Sequence, residues 1–441
     1  MDGNNKVAEF IRDINWNSLP EGVRRRAYLC LLDNLGVTLT GTLTPVSRIA
    51  AGYAAETWRG DAATILLHQR RASVPGAAFA NACAGNALDL DDDAIFTRGH
   101  PGAQIFPAAL AVAEKVRASG RALLEALVVG YEVAIRAGRC WHDHHEIYQA
   151  CGSWGSVGCA AAAAHLLGLD YDQIKHALGI AEYHAPNAPM MRDISNPTMV
   201  KHAIGWGAMN GCTSAELAAH GYTGIPSILG FGQYRDWVMD IGQHYWMTDW
   251  VYYKGWASCA WGHAAAVAAL ELLDKHQIFT DEISCIKVRT FEEAIMLYQG
   301  HPTTTEEAQF SVKWPIACLV IDRQLGPDQV LEHRLNDPQV CALMEKIELV
   351  LDPVVNQMYK DMQETDLTMH SAVEITLQDG RHYDSGIIER GADRWDEHSL
   401  EQKFRRLTAY VLEPAQVDHL VKMVLAIENV PNIRQLVEIV K

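Results

Sequence analysis

The chain has 441 residues, with 37 Lys and Arg against 54 Asp and Glu and a formal charge of −17. Its 49% hydrophobic and 21% charged residues form an ordinary globular composition, which excludes disorder as the main state. So acidic a chain, with no basic stripe, excludes a general nucleic-acid binder but not an anionic small-molecule substrate, because local charge in a cleft can oppose the net field. No run approaches the roughly 18 apolar residues that a membrane helix needs. The opening Met1-Asp2-Gly3-Asn4-Asn5 lacks the basic-then-apolar pattern of a secretory signal. The ten cysteines include no C-x-x-C pair, so reduced, mostly buried thiols in a cytoplasmic protein are expected.

The first ~270 residues read as helix after helix. Residues 24–38 place Ala27, Leu31, Leu32, Leu35 and Val37 near one face, and Gly36 and Gly41 mark the exit. Residues 77–90, 158–169 and 205–220 are rich in alanine and glycine, which lets helices approach closely and predicts a tightly packed, buried bundle. Prolines from Pro75 to Pro226 punctuate the connections. The texture changes near Lys275. Residues 283–289, 347–351 and 372–377 alternate apolar and polar side chains as strands do, the last followed by a Gln378-Asp379-Gly380-Arg381 turn. Residues 311–325 and 338–346 look helical, and a helical pattern returns from Ser399 to Leu425. The expected fold is mainly α: a large all-helical domain, 1–271 with 396–441, and an inserted smaller α+β lid domain, 272–395.

The densest polar stretch runs from Leu88 to Gly102, with four carboxylates at Asp89, Asp91, Asp92 and Asp93, then Arg98, then His100 in a Gly-His-Pro-Gly turn. On a continued helix, Asp89, Asp92 and Asp93 share one face. Four such carboxylates repel one another unless solvated, hydrogen-bonded or metal-bound. A solvated acidic helix end, a catalytic Asp/His constellation and a divalent-metal site are therefore all open on composition. Trp141-His142-Asp143-His144-His145-Glu146 lacks metal-ligand helix spacing and reads as a polar or partner-facing segment. Lys201-His202 precedes a glycine-rich helix and follows a proline-marked connection containing Arg192; the lysine suits a carboxylate clamp or a snorkelling surface position equally. Lys254, Cys259 and His263 sit among Trp256 and Trp261, which suits a dry pocket wall or a core corner. Glycine-rich dinucleotide, P-loop and Gly-x-Ser-x-Gly signatures are absent, which disfavours nucleotide-driven and serine-hydrolase chemistry.

Taken in order, these segments resemble the MmgE/PrpD family over essentially the whole chain. The resemblance is carried by Leu88-Asp89-Leu90-Asp91-Asp92, Gly99-His100-Pro101-Gly102, Val200-Lys201-His202 with Gly205-Trp206-Gly207-Ala208, and residues 221–226. It continues through Lys254-x-x-x-x-Cys259-x-x-x-His263 and Glu307-Ala308-Gln309-Phe310-Ser311. The family includes 2-methylcitrate dehydratase, cis-aconitate decarboxylase and iminodisuccinate epimerase. The resemblance implies a homodimer with an active site between the two domains and a small di- or tricarboxylic acid as substrate. Two positions depart from the family pattern: Tyr148-Gln149-Ala150 where a His-Pro is common, and Trp314 where a tyrosine is expected.

The implied chemistry makes or quenches a carbanion beside a carboxylate, with neither cofactor nor metal. That needs a base near the carbon and cations to hold the developing charge. The expected catalytic set is His100, Lys201, Asp89 and Lys254: the lysines clamp, their pKa lowered by burial among Trp206, Trp256 and Trp261, and Asp89 orients His100. Arg98, Arg192, Gln149, Cys259, His263 and Trp314 are expected substrate contacts. A lyase is favoured, with an epimerase as the alternative because the departures at Gln149 and Trp314 remove proton donors. A magnesium-dependent isoprenoid cyclase would need a second metal motif, and a non-catalytic acid-binding protein would not need this polar set.

Overall fold

Alanine- and glycine-lined helices pack around a buried centre in the computed structural model, which describes residues 2–362, 369–390 and 395–441. The main helices of this bundle are α1 (Glu21–Gly41), α2 (Val74–Gly85), α3 (Gly102–Val116), α4 (Gly120–His144), α5 (Cys151–Leu167) and α6 (Ile204–Ala219). Helix α5 is buried on every face from residue 151 to 164 and packs against α3, α4 and α6. A helix apolar all round is a core helix, and its small side chains permit the close neighbours. All ten cysteines are unpaired, seven of them buried. No helix among the described residues is long and apolar enough to cross a membrane.

The expected change of texture is real. After α7 (His263–His276), a four-stranded sheet forms from β1 (Ile283–Thr290), β2 (Ile347–Leu351), β3 (His370–Leu377) and β4 (His382–Glu389), in the order β2-β1-β3-β4. β1 pairs parallel with β2 and antiparallel with β3; β3 and β4 are joined by the turn in which Gly380 takes φ 89°. β4 was not anticipated, because its alternating exposure comes from an edge position with few apolar residues. Helix α8 (Lys313–Asp322) and the short helix Pro338–Met344 fall inside the two stretches read as helical. Helix α7 packs on β3 and β4, and the boundary expected at 271/272 falls within it. The chain then returns to the bundle as α9 (Glu397–Thr408), which lies along α1. There the Lys403 ammonium meets the Asp33 carboxylate at 2.6 Å and donates to the Leu90 carbonyl at 2.9 Å, so α9 is tied to the acidic segment.

Candidate active site

Helix α2 ends at Gly85, before the acidic run, so Asp89, Asp92 and Asp93 do not share a helical face. All four carboxylates are buried, which also removes the solvated-helix-end reading. Each finds a separate set of partners. Asp92 accepts from the Gly102 amide at 2.9 Å, at the start of α3, and from the Tyr131 hydroxyl. Burial, with Asp33 nearby, pushes its pKa up to about 7. Asp93 accepts from the Tyr252 hydroxyl at 2.8 Å. Asp91 is held by both contacts of the Asn86 amide, 3.0 Å each, and lies 3.0 Å from His100 Nδ1. Asp89 alone collects the lysines.

Around Asp89, Lys254 Nζ is 3.2 Å away, Lys201 Nζ 3.9 Å and His100 Nε2 3.7 Å. Burial alone would raise the Asp89 pKa, but Lys254, then Lys201 and His100, reverse this and hold it well below the ordinary carboxylate range. The same pairing answers the expectation of a depressed lysine. Burial disfavours the Lys254 ammonium, yet Asp89, Asp91 and Asp93 more than offset that, and its pKa is raised. Trp206, expected to help bury the lysines, is half exposed. Lys201 also donates to Gln309 Oε1 at 2.8 Å and sits 4.7 Å over the Phe310 ring. Gln309 is fixed in turn by donating to the Ala87 carbonyl and Thr305 Oγ1.

Backbone strain concentrates here. Asp89 takes φ 53°, and Lys201, His202 and Ala203 take φ 38°, 59° and 57° in succession. Left-handed conformations in non-glycine residues cost free energy and persist where the surroundings enforce them. The triple at 201–203 turns the chain into α6 while directing both Lys201 and His202 inward. His202 Nδ1 is 2.7 Å from Asp193, and its ring stacks on His100 at 5.5 Å. The Gly-His-Pro-Gly turn is equally constrained: a Cβ on Gly99 would stand 2.3 Å from Cys151 Sγ, and one on Gly102 2.2 Å from the Tyr131 oxygen.

His100 is oriented by Asp91 and not, as expected, by Asp89. Its Nδ1 faces the Asp91 carboxylate and the Asp92 carbonyl at 3.1 Å, which leaves Nε2 toward Asp89 and the cavity. Burial opposes the imidazolium, but Asp91, with Asp89, outweighs it and raises the pKa. The donor atoms of Asp89, His100 and His202 lie within 4.8 Å of one another, a spacing a metal ion could use. Two ammonium groups already neutralise Asp89 there and would repel a dication, so the donor set does not suit one.

Beyond this cluster opens a narrow cavity of about 30 Å³. Asp89, Asp93, Arg98, His100 and Cys259 line it, while Lys201 and Lys254 stand behind Asp89 and do not. The clamp role expected of the lysines is therefore corrected: they set the charge of Asp89 instead of facing the cavity. Cys259 is a buried thiol pushed up to about 12, a wall and not a nucleophile. His263 faces a neighbouring cavity and is kept well below its ordinary value, chiefly by burial. Gln149 is buried off the cavity, and Arg192 is exposed on the outer side of a short helix whose Met190 and Ile194 point in. Trp314 is wholly buried in the smaller domain, donating to the Gln329 carbonyl at 2.9 Å. Trp314→Phe should cost about 1–2 kcal/mol of stability through the lost hydrogen bond, which leaves the Gln329 carbonyl only the weak Cys318 thiol contact, and leave kcat/KM within about threefold, as denaturation and steady-state rates would record.

Three cavity residues escaped the sequence reading. Tyr252 and Tyr359 carried no distinguishing local pattern, and His202, although part of the Val200-Lys201-His202 segment, was given no role; only their packing brings them in. Tyr148, noticed as a departure, proves to be structural support for Arg98. Its hydroxyl donates to the Arg98 carbonyl and its ring lies 5.6 Å from the guanidinium, with Tyr359 at 5.9 Å. His142, from the histidine-rich segment, donates Nε2–H to the adjacent Thr97 carbonyl at 2.8 Å, and burial lowers its pKa to about 4, so it stays neutral. The turn is thus pinned at two consecutive carbonyls, and Arg98 itself takes φ 48°.

The MmgE/PrpD N-terminal domain matches residues 5–234, and the MmgE/PrpD C-terminal domain matches residues 256–429. The chain belongs to the MmgE/PrpD family. It is 28% identical to the human cis-aconitate decarboxylase over 98% of this chain and 93% of that protein. The cis-aconitate decarboxylase of Aspergillus terreus is 20% identical over 98% and 95%. The mitochondrial 2-methylcitrate dehydratase of Yarrowia lipolytica is 25% identical over 51% of this chain and 46% of its own length. Membership makes this MmgE/PrpD chain an enzyme, of the lyase class to which those relatives belong.

Proposed function

We propose that this MmgE/PrpD enzyme is a cofactor-independent lyase that makes or quenches a carbanion beside the carboxylate of a small organic acid. The observation that carries the reading is His100 held at Nδ1 by Asp91, with Nε2 toward Asp89 and a cavity that also contains Arg98, which has no carboxylate within ion-pair distance among the described residues. Arg98 takes the substrate carboxylate. As a bond at the neighbouring carbon breaks, its electron pair spreads into that carboxylate, where Arg98 stabilises it. In decarboxylation the carbon–carbon bond breaks, CO2 leaves, and His100 gives the retained electron pair a proton. In dehydration neutral His100 takes a proton from one carbon, the freed electron pair forms the double bond, and the departing hydroxide takes that proton back from His100 to leave as water. The relatives' names support these lyase routes over epimerisation, and so does the phenol of Tyr359, which supplies a hydroxyl on the cavity despite the departures at Gln149 and Trp314. The reading includes assembly as a homodimer, to be checked by sedimentation.

The test is product analysis in deuterated water with chelator-treated protein and a panel of carboxylic acids. Release of CO2 or formation of an alkene, with one solvent deuteron retained at the α-carbon after decarboxylation, is expected. Exchange with inversion and no other product would assign an epimerase, and thermal stabilisation without any turnover would assign a binding protein.

A further inference from the structure

The cavity carries a second imidazole that the lyase steps leave unused. His202 lines it with His100, and the two rings lie nearly parallel, 8° apart with centroids at 5.5 Å. Each ring comes from a different stretch of chain and has its own carboxylate. Asp91 holds His100 Nδ1 at 3.0 Å, and Asp193, on the short helix Met190–Ile194, holds His202 Nδ1 at 2.7 Å. A carboxylate on Nδ1 fixes the tautomer and leaves the other ring nitrogen for proton exchange. The turn into α6 does not need the His202 ring, because the His202 backbone amide already donates to the same Asp193 oxygen. The ring is nonetheless aimed inward by the left-handed run at 201–203 and seated edge-on against Phe310 at 5.1 Å.

The two imidazole–carboxylate pairs differ in their access to water. Asp89 and Asp91, the acids facing His100, have 1% and 0% side-chain exposure, whereas Asp193 keeps 12% and adjoins the exposed Arg192 and Ser195. Ring nitrogens of His100 and His202 lie within 4.8 Å of each other. One water molecule spans such a gap with a hydrogen bond of about 2.8 Å to each nitrogen. Decarboxylation consumes a proton in every cycle, since the one that His100 gives to carbon leaves with the product, and solvent must replace it while substrate or product covers the cavity side of His100. Dehydration makes no such demand, because the departing hydroxide returns the proton it needs through His100.

We propose that His202, oriented by Asp193, is the relay that recharges His100 with a proton from solvent after each decarboxylation. The His202 imidazolium gives its Nε2 proton, through the bridging water, to Nε2 of neutral His100. Neutral His202 then takes a proton from a hydronium ion or a buffer acid, and no other bond changes. The inference rests on the lyase reading and selects its decarboxylating branch.

The experiment separates the first turnover from those that follow. Full-length enzyme equilibrated at acidic pH is mixed with each acid of the panel, cis-aconitate first, and CO2 is measured by rapid quench and at steady state in dilute buffer. His202→Gln fills the space and can still donate to Asp193 but cannot pass a proton. It should release the first equivalent of CO2 within about twofold of the wild-type rate and then fall behind by about tenfold or more. His202→Ala should show the same split, and added imidazole, which fits the vacated space, should restore the later turnovers. Asp193→Asn keeps an oxygen for the His202 amide and should give a milder split, whereas His100→Gln should lose the first turnover itself. A wild-type steady-state rate in His202→Gln, or a first turnover slowed as much as the later ones, overturns the relay and leaves the lyase reading standing. So does a wild-type enzyme that removes water from its substrate and releases no CO2. Formation of neither product from any acid on the panel overturns both.

Discussion

His100→Gln is expected to lower kcat by about 10²–10⁴-fold, with KM changed far less, because glutamine can fill the space but cannot transfer a proton. The pH dependence carries the sign. Burial opposes the His100 imidazolium, but Asp91, with Asp89, outweighs it and raises the pKa above its ordinary value of 6.5. Acting as the proton donor, the imidazolium gives a rate that is full at low pH and falls as pH rises through that raised pKa. His100→Gln should abolish this alkaline limb. Asp91→Asn, which removes the orienting charge, should move the limb to lower pH, a change that a purely structural role for Asp91 would not produce. The same shift has a stability consequence of matching sign. The His100 contribution is complete below pH 6.5 and is lost as pH rises through the folded-state value. Steady-state rates and denaturation midpoints between pH 5 and 9 test both statements.

Lys254→Met is the substitution expected to cost most in stability, about 3–5 kcal/mol, because it leaves the buried Asp89 carboxylate without its nearest cation at 3.2 Å. Lys201, at 3.9 Å and shared with Gln309, compensates only in part. The deficit should depend on pH in a stated direction. Asp89 is depressed in the wild type, so its contribution is present above its unfolded pKa and lost only as pH falls through the much lower folded value. In Lys254→Met that depression is largely gone. The gap between variant and wild type should therefore be widest near neutral pH and narrow on acidification. Asp89→Asn combined with Lys254→Met should recover part of the loss, since neither charge is then stranded. If the double variant is no more stable than Lys254→Met, the pair does not have the assigned importance.

Read together, these effects give the two lysines a different place from a substrate clamp. They fix the charge and position of Asp89, which faces the cavity in their stead, while the open cation is Arg98 on its strained and doubly pinned turn. Each assignment separates by experiment: loss at Lys254 is first a loss of folding, loss at Arg98 a loss of carboxylate affinity, and loss at His100 a loss of turnover.

The helical bundle, three of the four strands and the segments carrying Asp89, His100, Lys201 and Lys254 were legible in the sequence, because periodicity, small-residue spacing and turn chemistry are local properties of the chain. The alanine runs dictated close helix packing in this way, and Gly380 marked the turn before β4. The edge strand itself escaped, since its residues bury too little to impose a pattern. What tertiary structure decided was the allocation of partners. Four successive aspartates look alike in sequence, yet Asp89 meets two lysines, Asp91 the imidazole, Asp92 a tyrosine and an amide, and Asp93 another tyrosine. Likewise nothing local separates Trp314, sealed in the core, from Trp261 on the cavity wall. A side chain's charge state and role follow from the groups that surround it in space, and those groups arrive here from distant parts of the chain, brought together only when the bundle and the sheet domain close around the same cavity.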